Sequence, residues 1–224
     1  LAKWLKTDKS MDEAFKLLKL NNVEGDNLLK SPGWGMWTSY ASKKDRNNAD
    51  ELIFTVMKNH FGDEGLENII AKAKTSIFTK DIAAKLQVEM WRSQAKTADE
   101  VFTLLKLDQK GRSIFDSYKS TVAVGTWVSF VNKLSKNNEF AVISNLEKRF
   151  GDAGLAMMLV EGMKKSSSTV VKGLQELQFK QWMALNKKLN PNAVADKMLK
   201  YSNDPRSIRV TLNFRNYYNT KIHQ

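Results

Sequence analysis

The sequence predicts an all-α protein, and three observations carry that prediction. The 224 residues include only 3 prolines and 11 glycines, too few for a fold built from many short strands and turns. Apolar residues recur at helical spacing, as in Ile53, Met57 and Phe61 at i, i+4 and i+8. A pattern near ninety residues long returns along the chain with those helical faces intact.

The first element of the repeat is a helix with an acidic start. WLKTDKSMDEAFKLLKL at 4 to 20 aligns with WRSQAKTADEVFTLLKL at 91 to 107, pairing Trp4 with Trp91, Asp12-Glu13 with Asp99-Glu100 and Phe15 with Phe102, 87 residues apart. The second element is WTSYA at 37 to 41, answered by WVSFV at 127 to 131. The third is HFGDEGLENII at 60 to 70, answered by RFGDAGLAMML at 149 to 159. A further LQFKQW at 177 to 182 echoes LQVEMW at 86 to 91 and opens a partial third copy. The expected organisation is one unit at 1–90, a second at 91–181, and a partial unit or cap at 182–224.

Each third element reads as two helices with a tight corner. Val142, Leu146 and Phe150 take the places of Ile53, Met57 and Phe61 before it. After it, Leu155, Met158, Leu159 and Gly162 take those of Leu66, Ile69, Ile70 and Ala73. At the corner, Gly62 and Gly151 stand where a helix ends at positive φ, and Asp63 and Asp152 stand where the next helix wants an N-cap carboxylate. Trp37 and Trp127 lie at helical spacing from Tyr40 and Phe130 and are expected in the core, whereas Trp4, Trp91 and Trp182 fall at unit boundaries and are expected to seal the joints.

The composition excludes several kinds of chemistry. With no cysteine, disulfides, thiol catalysis and cysteine-ligated metals are out. The two histidines, His60 and His223, have no carboxylates at matching spacing to build a metal site. KSSSTVVKG at 165 to 173 reads as a loop entering a helix, and KGRS at 110 to 113 lacks the features of a phosphate loop. The expectation is therefore no catalytic residue, no metal, no cofactor and no enzymatic activity. No apolar run is long enough to span a bilayer, so no membrane insertion is expected. The abrupt opening LAKWLKTDKS inside a helix suggests a targeting region upstream.

Charge is uneven. The net charge is +12, of which residues 1–90 carry +1, residues 91–181 carry +5 and residues 182–224 carry +6. The last stretch mixes Arg206, Arg209, Arg215 and Lys221 with Phe214, Tyr217 and Tyr218, a combination that suits RNA as an alternative partner. The favoured reading buries those rings in a final helix and leaves the cations in solvent. Basic clusters at Lys43, Lys44 and Arg46, and at Lys164 and Lys165, sit at helix ends where cations favour the dipole.

The ordered blocks resemble the tandem WY, or L-W-Y, units of oomycete RXLR effectors. The tryptophan blocks match the W motif, the Phe-Gly-Asp-x-Gly-Leu corners the Y motif, and the blocks at 4 and 91 the L motif, over nearly the whole chain to about residue 200. Both Y motifs carry phenylalanine, Phe61 and Phe150, in place of the tyrosine. The resemblance implies that these rings stack on the tryptophans and that the hydroxyl's hydrogen bond is lost. It also implies α-helical bundles joined end to end into an elongated rod. The implied function is that of a secreted virulence effector acting in the host cytoplasm or nucleus as a non-enzymatic adaptor. Its partner would be a host plant protein, with a serine/threonine phosphatase scaffold as the specific candidate.

Overall fold

The computed structural model describes residues 1–25, 27–184 and 187–222. All regular structure among them is helical, and the chain divides into two compact units, Leu1–Lys96 and Thr97–Gln224.

In the first unit, α1 (Ala2–Lys6) leads into α2 (Met11–Leu17), which starts at a capping box. The Ser10 hydroxyl accepts from the Glu13 amide at 3.1 Å, and the Glu13 carboxylate accepts from the Ser10 amide at 2.8 Å, so two otherwise orphaned donors are satisfied together. The short α3 (Asn27–Lys30) precedes α4 (Pro32–Lys44), capped by Ser31 with Pro32 in the first turn. Then α5 (Ala49–Ala73) is broken at Gly62, and α6 (Lys80–Ser93) closes the unit. Phe15, Trp37, Tyr40, Met57 and Leu66 are fully buried at its centre.

The second unit repeats the plan. Its α7 (Ala98–Leu104) begins with the same capping box, Thr97 with Glu100, and α8 (Tyr118–Leu134) begins at Ser117. The Y-type corner joins α9 (Ala141–Phe150) to α10 (Asp152–Lys165), and α11 (Thr169–Met183) follows after the loop at 166–168. Helix α10 passes so close to Phe115 that a Cβ on Gly162 would lie 2.5 Å from the Phe115 Cβ, so only glycine fits there.

The partial third copy is no separate unit. Helices α12 (Pro191–Leu199) and α13 (Pro205–Ile222) pack onto α10 and α11, and Val194, Met198, Val210 and Phe214 share a cluster with Ala156, Met157, Phe179 and Trp182. The expected boundary at 90/91 also moves. It would have cut α6, an unbroken helix, whereas the observed division falls in the turn before α7. Trp91 thus belongs to the first unit, and Trp182 lies inside the second. His223 lies outside the described residues.

Candidate functional site

Two of the predicted residues, Trp37 and Trp127, each sit at the centre of a pocket that recurs in both units. In the first unit the Trp37 indole N–H donates to the Met11 carbonyl at 2.9 Å. In the second, Trp127 donates to the Ala98 carbonyl at 2.8 Å. Met11 and Ala98 are each the first residue of the acidic-start helix, so both tryptophans tie the W helix to that helix, by a buried bond in the first unit and a partly buried one in the second.

The ring packed on each tryptophan is not the one the sequence suggested. Phe15 meets Trp37 edge-on with centroids 4.7 Å apart, and Phe102 meets Trp127 at 5.3 Å. Phe61 is half-buried and touches Phe15 at 6.4 Å, and Phe150 is likewise half-buried. Their place at the end of a helix, just before a glycine corner, keeps them at the pocket's edge while the L-type helix supplies the central ring.

A third contact also repeats with its chemistry changed. His60 hydrogen-bonds Asp12 at 2.7 Å and stacks on Phe15 at 4.8 Å. Its counterpart Arg149 pairs with Asp99 and lies over the Phe102 ring at 4.2 Å. One position therefore closes both pockets, with an imidazole in one and a guanidinium in the other. Asp12 is held below the usual carboxylate range by its hydrogen bond from Lys16 and then by His60.

The two corners differ more than their sequences do. Gly62 has φ 68° and Gly151 has φ 73°, a conformation that disfavours any side chain. At the second corner Asp152 does not take the expected N-cap place. Gly151 itself occupies the N-cap of α10, and Asp152 is the first helical residue. Its carboxylate is drawn away from the backbone because Trp182 donates to it at 2.7 Å, Lys197 pairs with it and Gln178 lies 3.3 Å away. Burial opposes its ionisation, but Lys197, Lys187 and the Trp182 bond together outweigh it and hold this carboxyl low. Nearby Glu147 is pushed up by burial despite Lys187 at 2.9 Å. Among the described residues Asp63 makes only an exposed pair, with Lys58 at 2.9 Å.

The joint residues sit as follows. Trp4 is half-buried and edge-on to Tyr40 at 5.4 Å, Trp91 is buried, and Trp182 packs on Phe179 and Phe214 at 5.5 Å. Of the basic clusters, Lys44 is committed to Asp8 and Lys165 to Asp116. Among the described residues, no group of three or more His, Asp or Glu side chains comes together to hold a metal ion. Nor is any helix among them long and apolar enough to cross a membrane.

Repeated helical units, each set around a buried, hydrogen-bonded tryptophan, define an all-α protein of tandem helical bundles. No protein-family model matches the chain. It is 35% identical over 194 residues to the RxLR effector protein PSR2 of Phytophthora sojae, covering 82% of this chain and 28% of that protein. To the RxLR effector protein PexRD25 of Phytophthora infestans it is 29% identical over 195 residues, covering 83% and 62%. The crystal structure of PcRxLR12 shares 27% identity at a TM-score of 0.50, over 99% of this chain and 55% of that one. The chain is thus a homologue of RxLR effectors of Phytophthora, and it spans little more than a quarter of PSR2.

Proposed function

We propose that this chain is the protein-binding part of a virulence effector, secreted by the pathogen and acting inside the plant cell by holding a host protein rather than by catalysis. Supporting this is the division of labour between the repeats. The rings they share, Trp37 with Trp127 and Phe15 with Phe102, are spent in the interior, while exposed positions such as Lys16, matched by Thr103, differ. An interior held constant under a variable surface is what a recognition scaffold requires. The relatives are named as effector proteins.

The finer reading is that the host partner is the scaffold subunit of a serine/threonine phosphatase, in the cytoplasm or nucleus. The RNA alternative has less support. Phe214 is fully buried, Tyr217 and Tyr218 pack against the same cluster, and Arg206 is engaged by Asp204, so the rings needed for base stacking are occupied. The test is affinity capture from plant extract at moderate and high salt, with and without nuclease. A stoichiometric host protein that survives both treatments is expected, and recovery of only salt-labile, nuclease-sensitive material would contradict the reading.

A further inference from the structure

The first unit carries a groove of about 570 Å³ between α4, α5 and α6, within the range that accepts a few side chains of a ligand. Trp34, Ile53, Ile82 and Leu86 line it with apolar surface, and Lys43, Lys85 and Asp50 bring charge to it. The second unit closes over the matching turn of its W helix. There a Cβ on Gly125 would meet the Val170 side chain at 3.2 Å, whereas its repeat counterpart Gly35, on the same turn as Trp34 and Thr38, has nothing within 4 Å. At this turn of the W helix the first copy is therefore the more open one.

The groove's chemistry selects its occupant. The hydroxyls of Thr38, Ser39 and Ser42 already donate to carbonyls of their own helix, at 3.2, 2.7 and 3.1 Å. The donors left for a ligand are the ammonium groups of Lys43 and Lys85. Among the described residues Lys43 has no ion-pair partner, and Lys85 has only a long contact of 3.9 Å to Asp50. Two cations against one carboxylate leave the site positive over an apolar floor. We infer that this groove binds a short peptide segment of a partner protein that presents a bulky apolar side chain flanked by a carboxylate. The apolar group lies on Trp34, Ile82 and Leu86, and the carboxylate meets Lys43 and Lys85. This rests on the protein-binding reading above and names the surface it uses.

The test is an NMR titration of the isotope-labelled full chain with two blocked tetrapeptides, Ac-Asp-Leu-Phe-Glu-NH2 and Ac-Lys-Leu-Phe-Lys-NH2. The acidic probe is expected to shift the amides of Thr38, Ser39, Ser42 and Ile82 saturably, with half-saturation at about 1 mM, as suits a contact of a few side chains. The lysine probe is expected to leave them unmoved. Lys43→Glu combined with Lys85→Glu, both exposed changes, should weaken the acidic probe about tenfold and admit the lysine probe. Equal response to both probes, no response to either, or stronger shifts with a short single-stranded RNA would overturn the inference. A host protein captured equally by wild type and the double variant would overturn the groove and leave the adaptor reading standing.

Discussion

Trp37 donates its indole hydrogen to the Met11 carbonyl at 2.9 Å, and ninety residues later Trp127 donates to Ala98 at 2.8 Å. Each bond closes a pocket whose ring, helix start and clamp recur, so the bond belongs to the repeat and not to either copy.

Trp37→Phe and Trp127→Phe should each keep the apolar packing but remove the indole donor while the carbonyl keeps its helix bond, at a cost of about 0.5–1.5 kcal/mol. Urea denaturation followed by circular dichroism measures this. A loss below a few tenths of a kcal/mol in both would show that water replaces the indole.

The two corner aspartates should separate sharply. Asp152→Ala leaves the Trp182 N–H without its acceptor and Lys197 without its partner, and should cost about 3 kcal/mol. Asp63→Ala removes only an exposed pair and should stay within about 0.5 kcal/mol. Equal effects in the same denaturation experiment would contradict the geometry.

At the corners themselves, Gly62→Ala and Gly151→Ala should each cost about 1–3 kcal/mol although nothing stands within 4 Å of the new Cβ, because the strain is in the backbone. Gly162→Ala should lose stability by a different route, the clash with Phe115. Its crystal structure would show α10 displaced, whereas the corner variants should leave the helices in place.

The Asp204 pair gives a pH dependence. The side chain and then the backbone amide of Arg206 hold Asp204 down to about 2, against an ordinary aspartate value of 3.8. A depressed carboxylate contributes stability above the unfolded value, and that contribution is lost as pH falls from 3.8 toward about 2. Wild type should therefore melt above Asp204→Asn at pH 7, with the gap shrinking steadily as pH falls through 3.8 and vanishing only below about 2. A gap that widens in acid would reverse the sign.

Much of this architecture was legible in the sequence because it is carried by local rules. Ser10 with Glu13 and Thr97 with Glu100 announce helix starts, and glycine at 62 and 151 announces a corner. What stayed hidden depends on tertiary contact. The acceptors of Trp37 and Trp127 are backbone carbonyls, which leave no trace in residue identity. The use of Asp152 by Trp182 and Lys197 needs partners 30 and 45 residues away. Phe15 and Phe102 were visible as a repeated pair, and with Asp12 and Asp99 one turn earlier they carried the signal that the L-type helix, not Phe61 or Phe150, supplies the central ring.

The most direct test of the duplicated pocket is hydrogen exchange at the indole nitrogens, read by NMR on the full chain. The Trp37 and Trp127 indole hydrogens should both be strongly protected, by similar factors, and slower than that of half-buried Trp4, which frays with its exposed helix. Exchange at Trp37 or Trp127 as fast as at Trp4 would contradict a bond common to both units.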